Sequence, residues 1–233
     1  GTVSYPLNRV KSVRLHLGLR QDDMRFKAQD FYSLSYDIVD NRQRWVTSRA
    51  EYIYDNTERP ALNILHGMRY KVYGEYMLQL NNNGGGFYNI GIDARNYTRL
   101  YKNIIWANRI AGAHSGGDQK ILYHLGGVDN WMFSRYSNYV PVRPTENYAF
   151  QALATNLRGY ELNSRNGNTY AVFNSEIRIP VFATFIKRPI QSSFVRNMQV
   201  VTFLDAGSAW TGLTPNADAL RNDSYLQQDE VTL

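Results

Sequence analysis

Over long stretches of this chain every second residue is apolar, and that period of two constrains the fold more than any other feature. In Val13-Arg14-Leu15-His16-Leu17-Gly18-Leu19-Arg20 the odd positions are all apolar and the even ones are Arg, His, Gly and Arg. From Met68 to Leu80 the even positions read Met, Tyr, Val, Gly, Tyr, Leu, Leu, while Arg69, Lys71, Glu75 and Gln79 fall on the odd ones. Successive side chains of a strand point to opposite faces, so such a segment has one apolar and one wet face. The same rule holds for Tyr32–Ile38, Tyr88–Ala94, Ala171–Ile179 and Met198–Ala206. It predicts an all-β chain with eight strands, over 8–20, 24–38, 43–55, 63–81, 87–98, 101–113, 169–187 and 196–211.

Most of these strands exceed the ~5–6 residues common in soluble sheets, and the longest can cross the ~25 Å apolar band of a membrane barrel. Alternation alone also fits a soluble sandwich with its polar face outward. Strand length and the 18 tyrosines favour a transmembrane antiparallel β-barrel. Tyr52, Tyr54, Tyr70, Tyr76, Tyr88 and Tyr170 read either as interfacial girdles or as cross-strand packing. Gln21-Asp22-Asp23, Asp40-Asn41-Arg42, Asn81–Gly86 and Asp55–Pro60 are turn signals. Tyr97–Leu100 reads as a short link, and Gly67 as relief of crowding where a strand begins. Residues 114–168 lack alternation and read as one long functional loop.

Several chemistries find no support in the sequence. There is no Cys, so neither a disulfide framework nor a thiolate metal site is available. His16, His66, His114 and His124 are scattered, without metal-ligand spacing. His114-Ser115-Gly116-Gly117-Asp118 lacks the strand-to-helix setting of a nucleophile elbow. No helix or Lys follows Gly84-Gly85-Gly86 as a phosphate loop requires. The formal net charge of +6 is spread along the chain, without the clustered basic run that tracks nucleic acid. The expectation is a non-enzymatic chain with no cofactor and no nucleic-acid partner.

Three segments in order carry more information. Leu157-Arg158-Gly159-Tyr160 lies near the end of the long loop. The strand pattern Asn174-x-Glu176-x-Arg178-x-Pro180 follows it. Phe203-Leu204-Asp205-Ala206-Gly207-Ser208-Ala209-Trp210 closes the readable strands. Together with Leu125-Gly126-Gly127 and Gly67-Met68-Arg69-Tyr70, over roughly residues 43–211, this resembles the BamA/TamA, or bacterial surface antigen, superfamily. The resemblance implies a barrel of about sixteen strands in the bacterial outer membrane. It places an Arg-Gly-aromatic motif on the sixth extracellular loop, here within 114–168. That loop tip folds back into the lumen, where its Arg meets acids on the twelfth and thirteenth strands. Carried onto this chain, the latch is Arg158, Gly159 and Tyr160 against Glu176, Phe203, Asp205 and Gly207.

Elementary chemistry agrees. Glu176 and Asp205 fall on the polar faces of their strands, and two like charges there call for a cation. The guanidinium of Arg158 is a planar fork that engages carboxylates bidentately. Gly159 would let the backbone pass close to the wall, and Tyr160 would pack on Phe203. The implied function is insertion, assembly or translocation of proteins at the outer membrane. The implied partners are outer-membrane lipid and lipopolysaccharide, unfolded outer-membrane or secreted clients, and accessory proteins of the periplasm or surface. Two alternatives remain open: a barrel that only anchors or exports an upstream fused domain such as a propeller or hydrolase, and a soluble β-rich binding protein. All of residues 1–233 is expected to belong to one barrel domain, with about five strands before residue 8 and about three after residue 211. An eight-stranded barrel closed on itself is the rival architecture.

Overall fold

The computed structural model describes residues 1–24, 41–61, 64–80, 85–128, 132–142, 146–186 and 191–215. Its main sheet is antiparallel: β1 (Thr2–Pro6), β2 (Lys11–Met24), β3 (Asn41–Asp55), β5 (Ile64–Gln79), β6 (Gly86–Tyr101), β7 (Ile104–Gly117), β11 (Thr169–Pro180) and β12 (Gln199–Trp210), neighbours in that order. The short β4 (Glu58–Ala61) adds to the start of β5. A second sheet, β10 (Arg165–Gly167), β8 (Lys120–Leu125) and β9 (Tyr148–Leu153), lies within the connection from β7 to β11. Two single-turn helices, α1 (Val181–Phe185) and α2 (Ser193–Asn197), join β11 to β12. Among the described residues β1 and β12 each have one main-sheet neighbour, so the sheet is open.

Alternation fixes which side chains share a face. Ala50, Gly74 and Ile90 stand in register across β3, β5 and β6, and Leu15 on β2 faces Ala50. One face therefore carries Leu15, Leu17, Leu19, Val72, Ile92 and Ile110, all exposed. No described element covers that bare face. The other is covered by the 118–168 excursion. There Trp45, Met77, Phe87, Ala113 and Tyr170 form a core with Ile121, Tyr123, Leu125 and Leu157 from the excursion. Trp45 meets Phe87 edge-on at 5.4 Å, and Phe87 meets Phe150 of β9 at 5.8 Å. Close strand packing explains several glycines: a Cβ at Gly91 would collide with the Tyr73 ring, and one at Gly116 with the Tyr88 ring.

The structure corrects several expectations. β1 was not anticipated. The strand expected at 24–38 lies, beyond Met24, outside the described residues, and β2 pairs directly with β3 from Lys11↔Tyr54 to Met24↔Asn41. Asp22 and Asp23 do not turn the chain. They stay in β2 because Arg20 and Arg42 neutralise them at 2.8 and 2.7 Å. Asn41 and Arg42 likewise open β3. Residues 97–100 are strand, not link, since β6 pairs with β7 out to Tyr101↔Ile104. The turn falls at Lys102-Asn103, with Lys102 at φ +46°. β11 stops at Pro180, where α1 begins. Of 114–168, residues 114–117 extend β7 and the remainder carries the three short strands of the second sheet.

The turn at Asp55–Thr57 does form. Asp55 Oδ1 accepts from the Thr57 amide and hydroxyl, and Asn56 Oδ1 accepts from the Met68 amide. Gly67 sits beside it at φ +108°, where a Cβ would lie 2.8 Å from the Asn56 carbonyl oxygen. Tyr52, Tyr54, Tyr70, Tyr76 and Tyr88 lie on the bare face by register, with Tyr54 and Tyr70 stacked at 5.1 Å. Tyr170 is instead on the covered face, 8% exposed and edge-on to Tyr123 at 4.9 Å, so it is core and not girdle.

Candidate functional site

Register brings the two acids together. Glu176 on β11 pairs with Phe203 on β12, and Asp205 with Asn174, so Asn174, Glu176, Phe203 and Asp205 share the covered face at adjacent levels. The excursion reaches them because Leu157 is buried beneath it, with its amide donating to the Gly127 carbonyl at 2.9 Å. Arg158 follows directly. Its Nε and Nη2 donate to the two oxygens of Asp205, each at 2.7 Å, and its backbone amide donates to Asp205 Oδ2 at 3.0 Å. Its Nη1 donates to Glu176 Oε1 at 2.5 Å. The guanidinium also lies 3.9 Å above the centre of the Phe203 ring, a cation–π stack.

One arginine thus engages one acid with a planar fork and a second with its remaining arm, the geometry that makes charge-assisted bonds strong and directional. Its hydrogen bonds to Asp205, with the one to Glu176, raise the pKa of Arg158 above its already basic range. The Asp205 side chain retains 1% exposure. The second oxygen of Glu176 accepts from Arg178 Nε and Nη2 at 2.9 and 2.8 Å. Arg178 belongs to the site; the sequence pattern Asn174-x-Glu176-x-Arg178-x-Pro180 contains it without giving it a role, although alternation puts it on the same face two residues from Glu176.

Other expected members occupy different roles. Gly159 does not permit close passage: a Cβ there would meet nothing within 4 Å, and what it supplies is φ +84°. The close approach occurs at Gly207, where a Cβ would sit 2.8 Å from Val172 Cγ2. Tyr160 is 55% exposed, and the group stacked on Phe203 is Arg158.

A second ionic cluster on the covered face also escaped sequence reading. Asp93 accepts from Arg95 at 2.9 Å and from Arg109 at 2.7 Å. A cavity of about 400 Å³ lies between these arginines, Arg158 and Arg178. The excursion itself is held by the buried Asn163, which donates to the Ser137 and Val140 carbonyls at 2.9 and 3.1 Å, and by Asn168, which donates to the Ser115 carbonyl at 2.5 Å.

No protein-family model matches this chain, and no curated protein does. Solved structures do. BamA from Haemophilus ducreyi lacking POTRA domains 1–3 superposes with a TM-score of 0.58 over 97% of this chain, at 15% identity. The matched region is 43% of that chain, so the present chain spans under half its length. At this identity the likeness is one of fold: a mostly antiparallel β-sheet arranged like part of a BamA barrel.

Proposed function

We propose that this chain forms part of an outer-membrane β-barrel that inserts, assembles or translocates proteins at the bacterial outer membrane. The carrying observation is the Arg158 anchorage on a BamA-like sheet: one excursion is pinned by Asp205 and Glu176 to the face opposite the apolar one. In this reading the bare face meets hydrocarbon, where strands survive only with every backbone group paired. The covered face lines a wet lumen, and 118–168 lies on the extracellular side. Arg158, Gly159, Tyr160, Glu176, Phe203, Asp205 and Gly207 form the latch, with Arg178 added. The partners are outer-membrane lipid and lipopolysaccharide, unfolded clients and accessory proteins. Clients would be captured by strand addition at a sheet edge. The proposal assigns no enzymatic step and no cofactor.

The test is reconstitution of the protein into liposomes, followed by addition of a urea-unfolded outer-membrane protein. Accelerated appearance of the client's heat-modifiable folded band is expected, with a slower rate for Arg158→Ala at equal barrel incorporation. A wild-type barrel that inserts but leaves the client's rate at that of empty liposomes would overturn the assembly role in favour of an anchor or conduit.

A further inference from the structure

We infer that the rim of the sheet opposite the excursion is a docking surface for anionic phospholipid headgroups, built by α1, α2 and the neighbouring turns. This rests on the membrane reading above. The register places residues 7–10, 56–61, 102–103, 181–186 and 191–198 at one end of the sheet, where β2, β5, β7 and β12 begin. The side chains there are unusual in two ways. Tyr101, Phe185 and Phe194 are 58%, 63% and 76% exposed, and Leu100 and Ile186 stand exposed beside them. Charge is also one-sided: Arg9, Arg59, Arg99, Lys102 and Arg196 are exposed in and beside these turns, against Glu58 and the half-exposed Asp55, which Arg69 approaches at 4.0 Å, among the described residues.

The rim is built rather than loose. Lys102 Nζ and Asn103 Nδ2 donate to the Thr184 and Ala183 carbonyls of α1 at 3.4 and 3.2 Å, and Thr184 is 4% exposed. These contacts tie α1 to the β6–β7 turn, with the exposed Phe185 and Ile186 following at once. Ser192 caps α2 through the Val195 amide at 3.4 Å, and Phe194 follows the cap.

An exposed aromatic beside a basic side chain, at the margin of an apolar sheet face, suits a membrane interface. The ring sits at headgroup level, and the long cation reaches a phosphate. The bare face runs directly into this rim, since Tyr54 and Tyr70 lie on it next to these turns. The opposite rim does not share the bias: there Arg42 pairs with Asp23, and Lys120 with Glu146. Charge complementarity therefore selects anionic lipid over zwitterionic lipid, and one rim over the other.

The experiment measures binding of spin-labelled phosphatidylglycerol against spin-labelled phosphatidylcholine by the protein inserted in phosphatidylcholine vesicles. Preference for phosphatidylglycerol of about fivefold is expected, the size of one basic side chain's attraction to an anionic surface, narrowing at high salt. The variant Arg99→Gln/Lys102→Gln/Arg196→Gln should fall to parity, and the charge-preserving Arg99→Lys/Arg196→Lys should keep the preference. If the triple variant does not insert, single Lys102→Gln and Arg196→Gln, each narrowing the preference, serve the same purpose. Parity in the wild type, or a preference that these changes leave intact, overturns the inference while leaving the membrane reading standing. Failure of the wild type to insert in any vesicle sinks both. A co-purifying protein lost from these variants, with lipid preference unchanged, would give the rim to that partner instead.

Discussion

Arg158 holds two carboxylates at once, and the consequences of removing it follow from what it leaves behind. The Asp205 side chain is 1% exposed. Arg158→Ala therefore strands a shielded anion, at a cost of about 2–3 kcal/mol, between the values for exposed and fully buried pairs. Asp205→Asn should cost less, about 1–2 kcal/mol, because an amide still accepts from the guanidinium. The double variant should fall short of the sum by about 1 kcal/mol or more, since the two changes remove one interaction. Urea midpoints in detergent micelles would measure this cycle, and strict additivity would mean that the contact contributes nothing. The two glycines separate by cause. Gly159→Ala imposes a left-handed strain of about 1 kcal/mol and no clash. Gly207→Ala forces β11 and β12 apart at Val172, for about 1–3 kcal/mol. Adding Val172→Ala should relieve the second and leave the first unchanged, because only the second is a matter of space.

At the scale of elements, β8 shows what the sequence could and could not convey. Residues 121–125 are all buried, pressed between the sheet and the rest of the excursion, so both faces are occupied and no alternation marks them. Their signal is the short run Ile-Leu-Tyr-His-Leu, which a reading tuned to period two passes over. The long strands of the main sheet have one bare and one covered face. Alternation located most of them, and the acids of the candidate site fell on the right face for the same reason. Turn residues misled where ion pairs neutralised them, as Arg42 does for Asp23. The Asp93–Arg109 pair was missed because pairing across strands depends on register, which one strand's pattern does not contain, whereas Arg178 stands two residues from Glu176 on its own strand and was legible there. Docking of the excursion rests on β8, where Leu122 and Leu125 are each 0% exposed and Leu125 belongs to the core shared with the sheet. Leu125→Ala should cost about 2–5 kcal/mol of that docking. Tryptic cleavage after Arg135 and Arg165 should then accelerate, while amide exchange in β5 and β6 stays slow. Equal loosening of β5 and β6 would show that excursion and sheet are one cooperative unit.

For the whole molecule, the proposed reading turns on one side of the sheet meeting hydrocarbon, and two tryptophans test it. Trp106 is on the bare face, 42% exposed, with its indole N–H donating to Ser175 Oγ at 2.9 Å. Trp45 is on the covered face, 1% exposed and packed on Phe87. They stand near opposite ends of the sheet, Trp106 at the start of β7 and Trp45 beside Gln79 at the end of β5, so the quencher must sample every depth for face alone to decide the outcome. Variants retaining only one tryptophan, the others replaced by Phe, can be inserted into vesicles of lipid brominated along the acyl chains. Bromine quenches on contact. Trp106 should lose most of its emission and Trp45 should keep its own. The same face should reject charge. Ile92→Lys, four residues or more from either end of β6 and 43% exposed in the native chain, should cost about 2–4 kcal/mol of folding in lipid. In a soluble sheet the same lysine would sit in water at little cost. Quenching of Trp45 instead of Trp106 would invert the proposed arrangement and place Arg158 in lipid, where a charge held by only two acids could not remain. Quenching of neither, with Ile92→Lys tolerated, would return the chain to a soluble sheet.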